Sequence, residues 1–190
     1  MNQPEANGKA FLGLIRYIKQ KAGQEYLDQI LSAAEPATRQ VFSKKIMVSD
    51  WYPYSTFVSF LATMQSRISN GDPNFFRVVG SIGGRSDMGA IFAIYKRLAS
   101  FEKLIRSCPS VWSNYYRNAG SMIATEWKPE RTVLQICNFP QMSPLHCRLM
   151  EGWMVATMEE IGARVLKYEE SKCMSKGGPC HEFICSWQKR

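Results

Sequence analysis

Several large classes of protein are excluded by what this sequence lacks. No apolar run approaches the roughly 18 residues that a membrane-spanning helix needs, and the longest apolar stretches are broken by lysine, arginine or glycine. The opening residues MNQPEANGKAFLGLIRYIKQ have no basic leader, long apolar run and small-residue cleavage site of the secretory kind, so a cytoplasmic protein is expected. The formal net charge is +8, yet no basic run reaches the length of about five that marks an interaction tail. The lysines and arginines are scattered as Lys44-Lys45, Lys96-Arg97, Lys103 to Arg106 and Lys189-Arg190, and no zinc-finger or basic-zipper pattern occurs. Nucleic acid is therefore set aside as a partner, and the charge is read as a solvated basic surface. There is no internal repeat, no low-complexity tract and no convincing linker, so residues 1–190 are expected to form a single domain.

Histidine is scarce, with two in the chain, and no serine, cysteine or lysine falls in a recognisable nucleophile–base pattern. An enzyme is not expected. Composition is otherwise that of an ordinary globular chain: 45% hydrophobic, 21% charged and 12% aromatic. Six cysteines stand at 108, 137, 147, 173, 180 and 185. Without a secretory segment they are expected to be thiols or metal ligands rather than disulfides. Cys108 and Cys137 lie in the apolar contexts IRSCPS and LQICNF, where a buried free thiol is the default.

The periodicity gives helices first and strands second. Residues 1–8 are polar with glycine and proline and suggest a loose terminus. Helical spacing follows from Lys9, broken at Gly23, and again from Gln24 to Ala34, with Pro36 as a stop. Val41 to Val48 reads as extended. Asp50 is placed to cap a helix entered through Trp51-Tyr52-Pro53, whose apolar positions are Phe57, Val58, Leu61, Met64 and Ile68. A short helix to Ile82, a turn at Gly83-Gly84 and a further helix through Phe92 and Tyr95 are expected next. Gly80 to Ser86 invites a phosphate-loop reading, but it lacks the Gly-Lys-Ser/Thr ending and reads better as a helix–helix turn. The segment from Phe101 to Tyr116 reads as helical, interrupted at Pro109.

After Gly120 the period changes. Ser121 to Trp127 and Thr132 to Cys137 alternate as a hairpin. Ser143-Pro144 opens a helix carrying Leu145, Leu149, Trp153 and Ala156. Ala163 to Glu169 and His181 to Trp187 are strands around a loop. A helical half followed by a small, mainly antiparallel sheet in strand-strand-helix-strand-strand order is an α+β fold.

That order, with its landmarks, resembles a superfamily: the ligand-binding fold of nitric-oxide signalling and Golgi transport. Its members include heme-nitric-oxide-binding domains, four-vinyl-reductase-type domains of phenol-responsive regulators, and TRAPP subunits. The residues carrying the resemblance are Trp51-Tyr52-Pro53-Tyr54, Trp112-Ser113-Asn114-Tyr115-Tyr116, Gly152-Trp153, Gly162-Ala163 and Gly177 to Trp187. It runs from about Phe11 onward and looks closest to an uncharacterised bacterial branch.

What the resemblance implies is a non-enzymatic sensory or regulatory domain that binds a small apolar or aromatic molecule, is homodimeric, and passes its state to a protein partner. Its pocket candidates are Trp51, Tyr54, Phe57, Phe92, Tyr95, Trp112 and Trp153. The alternative is a TRAPP-like interaction scaffold with a vestigial or lipid-filled pocket. An enzyme acting on a tetrapyrrole or aromatic substrate ranks last. Heme members use an axial histidine in the helical half and a Tyr-x-Ser-x-Arg motif. This chain has only His146 and His181, both late, and Tyr115-Tyr116-Arg117-Asn118 departs from that motif, so heme is set aside at this stage.

The phenol-sensing relatives hold a structural zinc through a cysteine on the late helix, then Glu-x-x-Cys, then a further cysteine. Here Cys147, Glu170, Cys173 and Cys180 match that order. A tetrahedral zinc needs four such donors at one point. Separate reduced thiols, or a redox pair, are the other readings of the same residues. His181 follows Cys180 directly and is an alternative donor to Glu170. Glu169 and Glu170 point to opposite sides of a strand, so one alone faces the loop.

Overall fold

The computed structural model describes residues 2–95 and 105–189, with residues 88–95 described by backbone only. Among these residues the fold is α+β, with six α-helices and two antiparallel sheets. The chain clusters into two compact units, one built from Met1–Phe75 with Asn114–Ala119, the other from Phe76–Ser113 with Gly120–Arg190.

The first unit is built on aromatic packing. Helix α1 (Gly8–Ser32) starts where the Asn7 side chain accepts from the Lys9 amide at 3.1 Å. It kinks at Gly23, whose φ of 84° only glycine adopts freely. Phe11 is fully buried and meets Phe42, Tyr52 and Phe57 edge-on at 5.3–5.8 Å. Phe42 ends α2 (Pro36–Phe42), so Pro36 opens a helix as a first-turn proline where the sequence suggested a stop.

Glu5–Asn7 form β1, the middle strand of a three-stranded sheet between β2 (Trp51–Pro53) and β3 (Tyr116–Arg117), with Ala6 opposite both Tyr52 and Tyr116. Asp50 does not cap the following helix. Its carbonyl accepts from Gly8 N, and α3 (Tyr54–Ile68) begins four residues later, with Pro53 at the cap position.

The second unit carries the larger sheet, in the order β4-β5-β7-β6, from β4 (Ser121–Lys128), β5 (Arg131–Cys137), β6 (Ala163–Lys172) and β7 (His181–Lys189). Its helices are α4 (Phe75–Tyr95), α5 (Cys108–Ser113) and α6 (Pro144–Glu160). Gly83-Gly84 is not a turn, because α4 runs unbroken through it. The glycines serve a close helix crossing. A Cβ on Gly80 would stand 1.9 Å from the Leu149 carbonyl oxygen, and one on Gly152 would stand 1.9 Å from that of Arg77. Beside this crossing the buried Glu151 carboxylate accepts from Arg77 Nε and from Arg148 Nη1, the latter at 3.0 Å. Arg85 meets Glu159 at 3.1 Å, and the Trp153 indole donates to Asp87 at 2.9 Å.

Candidate metal centre

The site forms where the first turn of α6, the end of β6 and the start of β7 meet. Ser143 caps α6 by accepting from the His146 amide at 3.2 Å, and Pro144 occupies the first turn. Cys147 is thereby fixed by the hydrogen bond its amide donates to the Ser143 carbonyl at 3.0 Å, and the residue is 1% exposed. Glu170 lies in β6 opposite Phe183 of β7, and Cys173 follows the strand end. The loop after Cys173 folds back on itself: the amides of Lys176 and Gly178 both reach the Cys173 carbonyl, at 3.0 and 2.9 Å. This return delivers His181 to the start of β7.

His181 is the hub. Its Nδ1 lies 3.4 Å from Cys147 Sγ, 3.5 Å from Cys173 Sγ and 3.6 Å from Glu170 Oε1. Each of the four residues offers one donor atom, and all four atoms lie within 4.8 Å of one another. Bond lengths of about 2.3 Å to sulfur and about 2.0 Å to nitrogen or oxygen set tetrahedral donors roughly 3.3–3.8 Å apart, so the three His181 distances match ligands sharing one ion. The far ring nitrogen, Nε2, is 3.2 Å from the Phe139 carbonyl. A carbonyl can only accept, so Nε2 carries a proton, and Nδ1 is the ring atom turned to the cluster.

Glu170 Oε1 is buried with no hydrogen-bond partner among the described residues. Burial opposes the charge on Glu170, but His181 and the two thiols outweigh it and hold the carboxyl below its ordinary range. Burial, with Glu170 and Cys173 close by, pushes the Cys147 thiol far above its usual value. Bringing up a divalent ion reverses that balance, because a coordinating thiol gives up its proton to the metal.

Of the four donors read from sequence, the structure brings together Cys147, Glu170 and Cys173, and puts His181 where Cys180 was expected. The reason is strand alternation. His181, Phe183, Cys185 and Trp187 are all buried on one side of β7, so Cys180 points to the other. There its thiol meets Cys137, with Glu182 and Lys172 nearby. The signal was present in the sequence as the period-two apolar run HEFICSW.

The pocket candidates fall in both units. Tyr54 and Phe57 are core of the first unit, and Trp51 lies under the Arg117 guanidinium at 4.7 Å. Trp112, in the second unit, stacks on His146 at 6.0 Å and meets Phe139 edge-on. Trp153 borders an apolar cavity of ≈ 30 Å³ with Cys108, Met122, Leu134 and Met154. The side chains of Phe92 and Tyr95 lie outside the described residues.

No family model matches this chain, and no curated protein does. Solved structures do match, over nearly the whole length. An H-NOX protein from S. oneidensis in the Fe(II)NO ligation state has a TM-score of 0.73 at 14% identity, covering 96% of this chain and 99% of that one. Unliganded Fe(II) H-NOX from K. algicida gives 0.69 at 13% identity over 97% of both chains. The IWP-051-bound H-NOX of Shewanella woodyi, in the Fe(II)CO state, gives 0.66 at 14% identity over 94% of this chain and 93% of that one.

The chain therefore has the H-NOX fold, the heme-nitric-oxide-binding part of the resemblance. The four-vinyl-reductase-type and TRAPP-like parts gain no support from these matches. These matches conflict with the expectation that heme is unlikely. The fold's matched structures are in Fe(II), Fe(II)NO and Fe(II)CO states. The absence of an early histidine was a weak ground in any case, because heme iron is also held by cysteine, methionine or tyrosine. Of this chain's two histidines, His181 belongs to the cluster. His146 is fully buried, and burial, with His181 as a second cause, lowers its pKa to about 3, leaving the neutral imidazole that ligates metals.

Proposed function

We propose that this chain is a non-enzymatic small-molecule-sensing domain of the H-NOX fold, whose second unit is held by a metal ion on Cys147, Glu170, Cys173 and His181. The sensory reading is supported by the full-length match to H-NOX structures. The metal reading is carried by one observation: a buried carboxylate oxygen that has no hydrogen-bond partner among the described residues and faces two cysteine sulfurs and an imidazole nitrogen. Two thiolates, one carboxylate and one neutral imidazole form a closed set of four protein donors, the mark of a structural rather than a catalytic site, and suit a borderline-soft divalent ion of the zinc kind.

The role of that ion is to join α6, β6 and β7 at their common corner. His181 is oriented by the Phe139 carbonyl, the outer-shell contact that metal-ligating histidines commonly make. The sensed molecule is a small ligand held elsewhere in the fold, with heme and heme-bound gases among the groups to be tested. The reading extends to a homodimer and a downstream protein partner.

Native mass spectrometry of the full chain from heme-supplied cells, combined with its absorption spectrum and elemental analysis, tests all of this. One metal ion per chain and a retained small molecule or a Soret band are the expected results. A bare polypeptide mass that neither added heme nor added apolar ligand changes would overturn the sensory reading.

A further inference from the structure

We propose that Cys137 and Cys180 form an oxidisable thiol pair, a modification site that a peroxide converts into a cross-strand disulfide. The β5–β7 ladder is antiparallel, with Gln135 opposite Glu182 and Ile136 opposite His181. The next pair in that register is Cys137 with Cys180. Side chains alternate along each strand, so this pair stands on the same sheet face as Gln135 and Glu182, which hydrogen-bond each other at 2.6 Å. The thiols themselves interact, and Cys137 also reaches Gln135 Oε1 at 3.8 Å.

Directly opposed residues of an antiparallel pair have Cα atoms about 4.5–5.5 Å apart. A disulfide needs roughly 4.4–6.8 Å. The extended register therefore places the two residues within the range that a disulfide spans. It also lies on the face of β7 opposite the His181 imidazole, so its formation takes no donor from the metal centre.

The chemistry is a two-electron oxidation. Cys137 is the half-buried member and Cys180 is 5% exposed, so Cys137 meets the oxidant first. Its thiolate attacks a peroxide oxygen, the O–O bond breaks, and the other oxygen leaves as an alcohol or water after taking up a proton. The resulting sulfenic acid is then attacked by the Cys180 sulfur. The S–O bond breaks, the S–S bond forms, and water leaves with the Cys180 proton. Two thiols and one peroxide become one disulfide, one alcohol or water, and one further water.

The test is titration of the metal-loaded full chain with hydrogen peroxide, followed by intact mass and non-reducing peptide mapping. The expected result is loss of the mass of two hydrogens, a peptide joining Cys137 to Cys180, and full reversal by dithiothreitol. Cys137→Ser and Cys180→Ser should each abolish the link while the metal content stays at one per chain. If Cys180→Ser does not fold, Cys137→Ser alone decides the matter. A Cys147–Cys173 link in its place overturns the proposal, as does stepwise oxygen addition at Cys137 without cross-linking. Metal content measured before oxidation keeps this outcome separate from that of the metal reading.

Discussion

The imidazole of His181 approaches the sulfur of Cys147 to 3.4 Å across 34 residues of sequence. The contact ties the first turn of α6 to the first residue of β7. His181→Ala is expected to weaken metal binding by about 10- to 100-fold or more, since it removes a ligand rather than an outer-shell partner. Cys180→Ser should bind metal as the parent does. Equilibrium dialysis with a chromophoric zinc chelator reads both.

Stripping the metal should lower the melting temperature. An ion present at 100 times its dissociation constant stabilises by about 2.7 kcal/mol, which corresponds to roughly 5–10 °C in a chain of this size. Scanning calorimetry with and without chelator checks this. The shift should vanish in Cys147→Ser, because the variant no longer holds the ion.

The α4–α6 crossing is the second point of structural sensitivity. Gly152→Ala places a methyl group 1.9 Å from a backbone carbonyl oxygen that cannot rotate away. Overpacking of this kind costs about 1–3 kcal/mol, and a backbone partner puts this site at the upper end. Gly13→Ala is the matched control, since a Cβ there meets nothing within 4 Å. Urea titrations of the two variants give the comparison.

Glu151 supplies a third. Its carboxylate is 1% exposed and is neutralised by Arg77 and Arg148, whose side chains are 41% and 40% exposed. Removing both guanidiniums with Arg77→Met and Arg148→Met leaves a buried charge unpaired. Such breaks cost up to about 3–5 kcal/mol, reduced here to roughly 2–3 kcal/mol because water reaches both partners. Adding Glu151→Gln to the double variant should restore most of the loss.

Thiol chemistry discriminates among the cysteines. Burial pushes the Cys108 thiol up to about 11 and that of Cys185 up to about 12. At pH 8 both stay protonated and shielded, so iodoacetamide should label the half-buried Cys137 well before either of them. Raising the pH toward 11 should bring in Cys108 before Cys185. Mass spectrometry of partially alkylated protein gives the order.

Local signals in the sequence were sufficient for much of the fold. Ser143-Pro144 marks the start of α6, Lys128 to Arg131 the hairpin turn, and Gly23 the kink in α1, because each depends on neighbouring residues alone. Long-range partners were not legible. Residues 5–7 become a central strand only because β2 and β3, at residues 51–53 and 116–117, come to lie on either side. Gly83-Gly84 reads as a turn until α6 is seen packed against it. At the site, the helix cysteine and Glu170-x-x-Cys173 were legible as a spacing. The fourth donor turned on a one-residue register, and the apolar alternation from His181 to Trp187 was the clue that decides it. Heme was judged unlikely on a missing motif, although a fold persists at 13–15% identity long after motifs have diverged.

The central claim is that Cys147, Glu170, Cys173 and His181 hold one ion. Elemental analysis of the chain purified without chelator, beside His181→Ala and Cys180→Ser, tests it most directly. About one equivalent of metal in the parent and in Cys180→Ser, with less than about a tenth in His181→Ala, is the predicted result, since structural sites bind tightly. Metal below about a tenth of an equivalent in the parent, or a full equivalent in His181→Ala, would contradict it.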